Sequence, residues 1–481
     1  MSRWRPTVAL DADDERPLRI QIADRLQSDI RRGRLTPGAS LPGSRQLAET
    51  LGVHRNTVIA AYEELIAQGW LQTRPGSGTF VSEALPEIAP RPSAAPTLGE
   101  LPIEPAYDLP PMEEAPEVHP AGVLSLDSLP DPQSLPSVPL MRAIRRALRL
   151  YGRTLLDYAD PQGDPHLRVA LAEVLATARG LIPDPQRLVI TRGSQMALWL
   201  AAQALIRPGD RVAVEALGYR PAWVALQAAG AELVPVPVDE EGLRVDALSA
   251  IEGPLKAVYL TPHHQYPTTV PLSPRRRLAL LEMARRRRIA LLEDDYDNEF
   301  HYEGRPLMPL ASAAPEVVIY IGTLSKVLAP GLRIGYACAP ARVIERMITL
   351  RRAIDRQGDA LGERAVAELF EEGEVQRHIR RMRRTYMDRR DTLTEALKLH
   401  LGGAVKCDRP AGGMALWVDV DPEIDIDLWV SRCRDLGVTF SAGGRYTFDG
   451  TPLNALRLGF ARLPPEDLRR AVQLMVQALP R

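Results

Sequence analysis

Residues 82–122 hold ten prolines and eight Asp/Glu against one Arg, a net charge of -7. Proline removes a backbone donor and fixes φ. Unbalanced like charge extends a chain further. That stretch therefore cannot build a core, and the 481-residue chain has to fold as separate bodies on either side of it. We expect a small domain at 1–81, an acidic, Pro-rich linker at 82–121 and a large domain at 122–481. In polyproline form, at roughly 3.1 Å per residue, the linker would span about 100 Å.

The chain as a whole is close to neutral, with Lys+Arg 60 against Asp+Glu 61. This excludes a uniformly basic coat but permits a local basic face. Residues 16–81 supply one, with nine Arg and five Asp/Glu, a net of +4. Cys338, Cys407 and Cys433 are too few and too scattered for a disulfide framework or a zinc site, and no metal site is expected. No apolar run approaches the ~18–20 residues of a membrane span, and residues 1–10 lack the apolar centre of a signal peptide. A cytoplasmic location is the expectation.

In the small domain, Ile22, Leu26 and Ile30 recur every four residues and Gly33 ends the pattern. A second helix is expected over 44–51, with Ser44 as its N-cap. Gly52 makes a turn, and a third helix follows over about 55–68. Two short strands around Arg74-Pro75-Gly76-Ser77-Gly78 then make a wing. Helix–turn–helix plus wing is a DNA reader whose third helix enters the major groove. Arg55, Asn56 and Thr57 open that helix. Arg and Asn read guanine and adenine edges bidentately, and Thr suits phosphate. Arg45 on the second helix, and Arg74 and Gly76 on the wing, flank them.

The stretches Leu41-Pro42-Gly43-Ser44-Arg45-Gln46-Leu47-Ala48, Val53-His54-Arg55-Asn56-Thr57-Val58 and Gly76-Ser77-Gly78-Thr79-Phe80-Val81 resemble the winged-helix domain of the GntR family of bacterial regulators. Gly43 departs from that pattern, which has Ser there.

In the large domain, short apolar runs at 187–191, 211–215, 257–261, 289–293 and 317–322 are mostly separated by helical patterns. They predict an α/β domain with a mostly parallel sheet. Ligands of such sheets sit at the carboxyl ends of the strands. Ser194 and Gln195 follow the first run, Tyr219 the second, Asp294 and Tyr296 the fourth. Thr323, Ser325 and Lys326 follow the fifth, with Arg333 seven residues beyond Lys326. The chain has four lysines among its 60 basic residues. Only Lys can lose its proton and form a Schiff base, so Lys326 stands out.

A phosphate cradle, an aromatic plate, a carboxylate, a phenol, a lysine and an arginine suit pyridoxal 5'-phosphate (PLP). Lys326 would form the Schiff base and Asp294 would pair with the ring nitrogen. Tyr296 would hold the ring oxygen and Tyr219 would stack on the ring. Ser194, Gln195, Thr323, Ser325 and Arg333 would hold the phosphate.

The large domain resembles fold-type-I PLP enzymes of the aspartate aminotransferase kind. The likeness rests on Tyr158-Ala159-Asp160-Pro161-Gln162-Gly163, on Thr261-Pro262-His263-His264-Gln265-Tyr266-Pro267-Thr268, and on 293–300 and 322–335. It implies a smaller C-terminal α+β subdomain. It also implies that Tyr158 reaches the phosphate of a neighbouring subunit and that Arg457 grips an effector carboxylate. Tyr266-Pro267-Thr268-Thr269 stands where those enzymes carry Asn-Pro-Thr-Gly, so the Asn contact to the ring oxygen is missing.

The whole architecture resembles the MocR subfamily of GntR-type regulators. The resemblance implies operator DNA as one partner and PLP or an amine or amino acid as effector. It also implies a head-to-tail, domain-swapped homodimer. The competing expectation is a working aminotransferase with an appended DNA reader.

Overall fold

The computed structural model describes residues 16–86, 107–108, 122–182 and 184–480. The chain divides into two units, residues 1–115 and 116–481. The expected linker lies mostly outside the described residues.

The first unit holds α1 (Leu18–Arg31), α2 (Ser44–Leu51), α3 (Arg55–Ala67), β1 (Leu71–Arg74) and β2 (Gly78–Val81). Ile22, Leu26 and Ile30 are buried on one face of α1, as their spacing predicts. They form one core with Leu47, Val58, Ala61, Leu65 and Trp70. β1 and β2 pair antiparallel, from Leu71 opposite Val81 to Arg74 opposite Gly78. The expected N-cap of α2 is corrected: Gly43 is the cap and Ser44 is the first helical residue. The Ser44 hydroxyl instead accepts a hydrogen bond from Arg55 Nε at 3.3 Å. At α3, His54 Nδ1 caps by accepting from the Asn56 backbone N–H at 3.2 Å.

The second unit is built on seven strands: β3 (Leu188–Thr191), β4 (Arg211–Glu215), β5 (Glu232–Val236), β6 (Ala257–Leu260), β7 (Ala290–Asp295), β8 (Val318–Thr323) and β9 (Gly335–Cys338). Their order in the sheet is β3-β9-β8-β7-β6-β4-β5. Only β9 breaks the parallel pattern, running antiparallel to both neighbours. The apolar runs are continuous because both faces are covered. Ile190, Val258 and Leu291 enter one core, while Val189, Ala257 and Leu292 enter the other.

The helices of this unit begin with α4 (Ser137–Leu155), α5 (Pro165–Arg179), α6 (Gly193–Leu205) and α7 (Arg220–Ala228). A C-terminal subdomain adds β10 (Val405–Lys406), β11 (Ala415–Val420), β12 (Ser441–Ala442) and β13 (Ala455–Gly459), in the order β10-β11-β13-β12. Its own core includes Leu416, Trp429, Leu456 and Met475. The Trp429 indole N–H donates to the Met475 carbonyl at 2.9 Å. The architecture is the expected one: a winged helix, then a mostly parallel α/β sheet with a smaller α+β part.

Candidate ligand site and nucleic-acid surface

The carboxyl ends of β4, β6, β7 and β8 and the start of α6 converge on a cavity of about 380 Å³. Ser194, Gln195, Tyr219, Asp294, Tyr296, Thr323, Ser325, Lys326, Arg333 and Arg457 all line it. The nine from Ser194 to Arg333 meet because parallel strands put their carboxyl ends on one edge, and Arg457 joins them from β13 of the C-terminal subdomain.

Lys326 Nζ donates to the Ser128 carbonyl at 3.1 Å. Burial, aided by the nearby Arg457 charge, holds its ammonium pKa down to about 8. Asp294 accepts the Tyr259 hydroxyl on Oδ2 at 2.9 Å. Its Oδ1 is buried with no partner. Burial pushes the Asp294 carboxyl up to about 6. Ser325 Oγ is likewise buried and unpartnered. Buried polar atoms are normally satisfied, so these two ask for a ligand.

Gly193 opens α6 at φ +78°, and a Cβ there would fall 2.9 Å from the Arg333 guanidinium. Glycine thus lets that cation lie against the helix start, where first-turn N–H groups are free. A lone carboxylate oxygen, a lysine amine and a cationic helix start fit PLP in its ring, aldehyde and phosphate respectively.

Arg457 is buried, lies 4.4 Å over the Tyr266 ring and is hydrogen-bonded to Ser128. Its Nε has no partner. Tyr266 packs edge-on against Tyr219 and Tyr296, at centroid distances of 5.4 and 5.9 Å. Tyr158 does not line this cavity. It is 72% exposed, with the Arg356 guanidinium 3.9 Å over its ring.

Several lining residues were not anticipated: Asp127, Ser128, Leu129, Tyr259, Thr261 and Pro330, while Tyr266 lines the cavity at the position of the missing Asn. A polar hydroxyl in the middle of the apolar run at 257–261 was a signal for Tyr259. Ser128 had none, since its segment carries no periodicity. Glu215 supports the site from behind. Its Oε2 accepts the Thr261 N–H at 3.1 Å and the Thr261 hydroxyl at 2.9 Å. Burial pushes its pKa up to about 8.

In the first unit, Arg45, Arg55, Asn56, Arg74 and Gly76 are exposed and Thr57 is half-buried. Arg74 pairs with Glu83 at 2.8 Å and lies 4.8 Å over the Phe80 ring. Such an exposed pair is weak and leaves the cation available.

Residues 18–81 match the family model for bacterial regulatory proteins of the gntR family, and residues 124–474 match that for aminotransferase class I and II. The chain is 30% identical over 480 residues to a probable rhizopine catabolism regulatory protein, MocR, of Rhizobium meliloti, covering 98% of this chain and 95% of that protein. It is 32% identical to the pyridoxine biosynthesis transcriptional regulator PdxR of Corynebacterium glutamicum, covering 96% of each. Among solved structures, an α-aminoadipate aminotransferase of Thermus thermophilus matches with a TM-score of 0.70 at 30% identity, over 74% of this chain and 92% of that one. Among the described residues, no helix is long and apolar enough to cross a membrane. With a gntR-type DNA reader ahead of a PLP-binding aminotransferase class I and II domain, the chain belongs to the MocR-type transcriptional regulators.

Proposed function

We propose that the protein is a cytoplasmic homodimer that binds operator DNA and senses PLP, or an amine or amino acid, at the Lys326 cavity without turnover. Its target genes belong to vitamin B6 or to amino-acid and amine metabolism. The observation that carries the reading is the joining of a DNA reader and a lysine-centred cavity in one chain.

The cofactor, when bound, supplies an aldehyde that condenses reversibly with primary amines. The chain's own residues set the rest. Lys326, with its pKa held to about 8, keeps a fraction of neutral amine at physiological pH. Arg457 offers a buried guanidinium to an effector carboxylate, a geometry that favours bidentate pairing. Tyr219, Tyr266 and Tyr296 wall the cavity.

Dimerisation is supported by α4. Val138, Met141 and Leu148 are exposed along one helical stripe, and Leu156 beyond the helix is 78% exposed. Tyr158 follows at once, so a partner packed there would bring its phenol to a second cavity. A domain-swapped, head-to-tail pairing belongs to the same proposal.

The test is titration of purified protein with amino acids and amines while following cofactor absorbance, with and without operator DNA. Coupling between sites is reciprocal, typically about 1–3 kcal/mol. Operator DNA should therefore shift effector affinity by the same factor as the effector shifts DNA affinity. Equal effector affinity in both titrations refutes the sensing role. The second reading, a working aminotransferase, is favoured by retention of Lys326, Asp294 and Arg457 in one cavity. Sustained keto-acid production with an amino donor and acceptor would establish it.

A further inference from the structure

Away from the cavity, three histidines converge. His263 and His264 are buried in the turn after β6, and His301 is half-buried beyond β7. One ligating nitrogen from each lies within 4.8 Å of the other two. We propose that these three rings form a binding site for one divalent transition metal of the Zn²⁺ class. Imidazole nitrogen suits Zn²⁺ and its neighbours, not Mg²⁺ or Ca²⁺.

Two observations support a ligand there. First, His264 Nδ1 is fixed by Asp297 Oδ1 at 2.7 Å. A carboxylate behind a histidine sets its tautomer and turns the other nitrogen outward as a ligand. Second, His301 Nδ1 is buried with no hydrogen-bond partner. His263 Nδ1 accepts from the Asn298 amide nitrogen at 3.3 Å, and that nitrogen also donates to Asp295 Oδ2 at 3.0 Å, so ligation by His263 Nε2 has to displace the Asn298 contact.

The Gly412 backbone packs directly against His264, where a Cβ would fall 2.4 Å from Nε2, so glycine lets the ring and the 412 segment approach. Zn²⁺–imidazole bonds are about 2.0–2.1 Å long. The backbone at Gly412 also bridges to His301, which holds the third ring at the same spot. Tetrahedral ligands at that bond length sit about 3.4 Å apart. Closing from 4.8 Å takes a shift on the order of an ångström, shared among the rings.

A metal here would tie the turn carrying Tyr266 to the segment carrying Tyr296, both of which line the cavity. The site is separate from PLP binding, so the two proposals fail separately.

The test uses the full-length protein, stripped with chelator and dialysed against micromolar Zn²⁺ or Co²⁺. The expected result is one Zn²⁺ per chain, visible ligand-field bands with Co²⁺, and a higher Tm with Zn²⁺ than without. His301→Ala should lose all three while keeping cofactor absorbance and DNA binding, which report its folding. His264→Gln should behave alike. Failure of the wild type to retain stoichiometric metal overturns the proposal. Equal retention by His301→Ala overturns it as well, because the metal is then held elsewhere.

Discussion

The Tyr259 hydroxyl donates to Asp294 Oδ2 at 2.9 Å and leaves Oδ1 buried and unpartnered. Tyr259 thereby aims the carboxylate and stabilises its charged form, against burial that pushes the pKa up to about 6. A protonated ring nitrogen would complete the pair. Asp294→Ala should weaken PLP retention by a factor of ten or more, since a hydrogen bond to a charged group contributes about 1.5–3 kcal/mol. Tyr259→Phe should weaken it by less. Cofactor content after dialysis measures both, and unchanged retention in Asp294→Ala would remove its assigned role.

Lys326→Ala should abolish covalent attachment. Borohydride treatment of the wild type should fix PLP at Lys326, and peptide mapping checks it. Labelling of Lys256, Lys398 or Lys406 would displace the site. The variant should still bind the cofactor non-covalently through the phosphate residues.

The lysine has a stability signature in cofactor-free protein. Its folded pKa of about 8 lies below the ordinary value of 10.5. Between those values the unfolded chain binds more protons, so stability rises with pH. Below about pH 8 both states are charged and burial of the ammonium is fully unfavourable. Lys326→Met should therefore raise Tm over wild type most at pH 7, with the gap closing as pH approaches 10.5. A gap independent of pH would show that Lys326 carries no depressed pKa.

Gly193→Ala meets two obstacles: φ of +78° and a Cβ 2.9 Å from Arg333. The left-handed conformation alone costs roughly 1–2 kcal/mol for a residue with a Cβ. Displacement of Arg333 should then weaken PLP binding beyond the loss of stability. Phosphate-free pyridoxal should bind wild type and variant with nearly the same affinity. A loss equal for pyridoxal and PLP would point to general unfolding.

Arg55→Ala should weaken operator binding more than binding to random DNA, because a base-edge contact discriminates by about 1–3 kcal/mol. Arg74→Ala should weaken both nearly equally, as a phosphate contact does. Gel-shift titrations at one fixed salt concentration compare them. Equal losses for both variants on both DNAs would remove Arg55 as a base reader.

Much of this was legible locally. The four-residue spacing in α1, the helix openings, the wing turn and the residues after β3, β4, β7 and β8 follow from patterns a few residues long. Such patterns reflect which face of one element is buried. Other features depend on contacts between distant segments. β5 is an edge strand that contains Pro235, and β9 is a four-residue strand that begins with Gly335, so neither carried a strong apolar run. Ser128 reaches Lys326 across 198 residues.

By itself, the sequence determined that two bodies must form, that one reads DNA, and which residue types stand at the strand ends of the other. Charge, proline content and short-range periodicity act along the chain and need no partner to be read. Only the tertiary structure decided that Tyr259 holds Asp294, that Tyr266 lies under Arg457, and that His263, His264 and His301 face one point. Those meetings depend on strand order and sheet register. A one-residue slip in register turns every side chain of a strand to the other face.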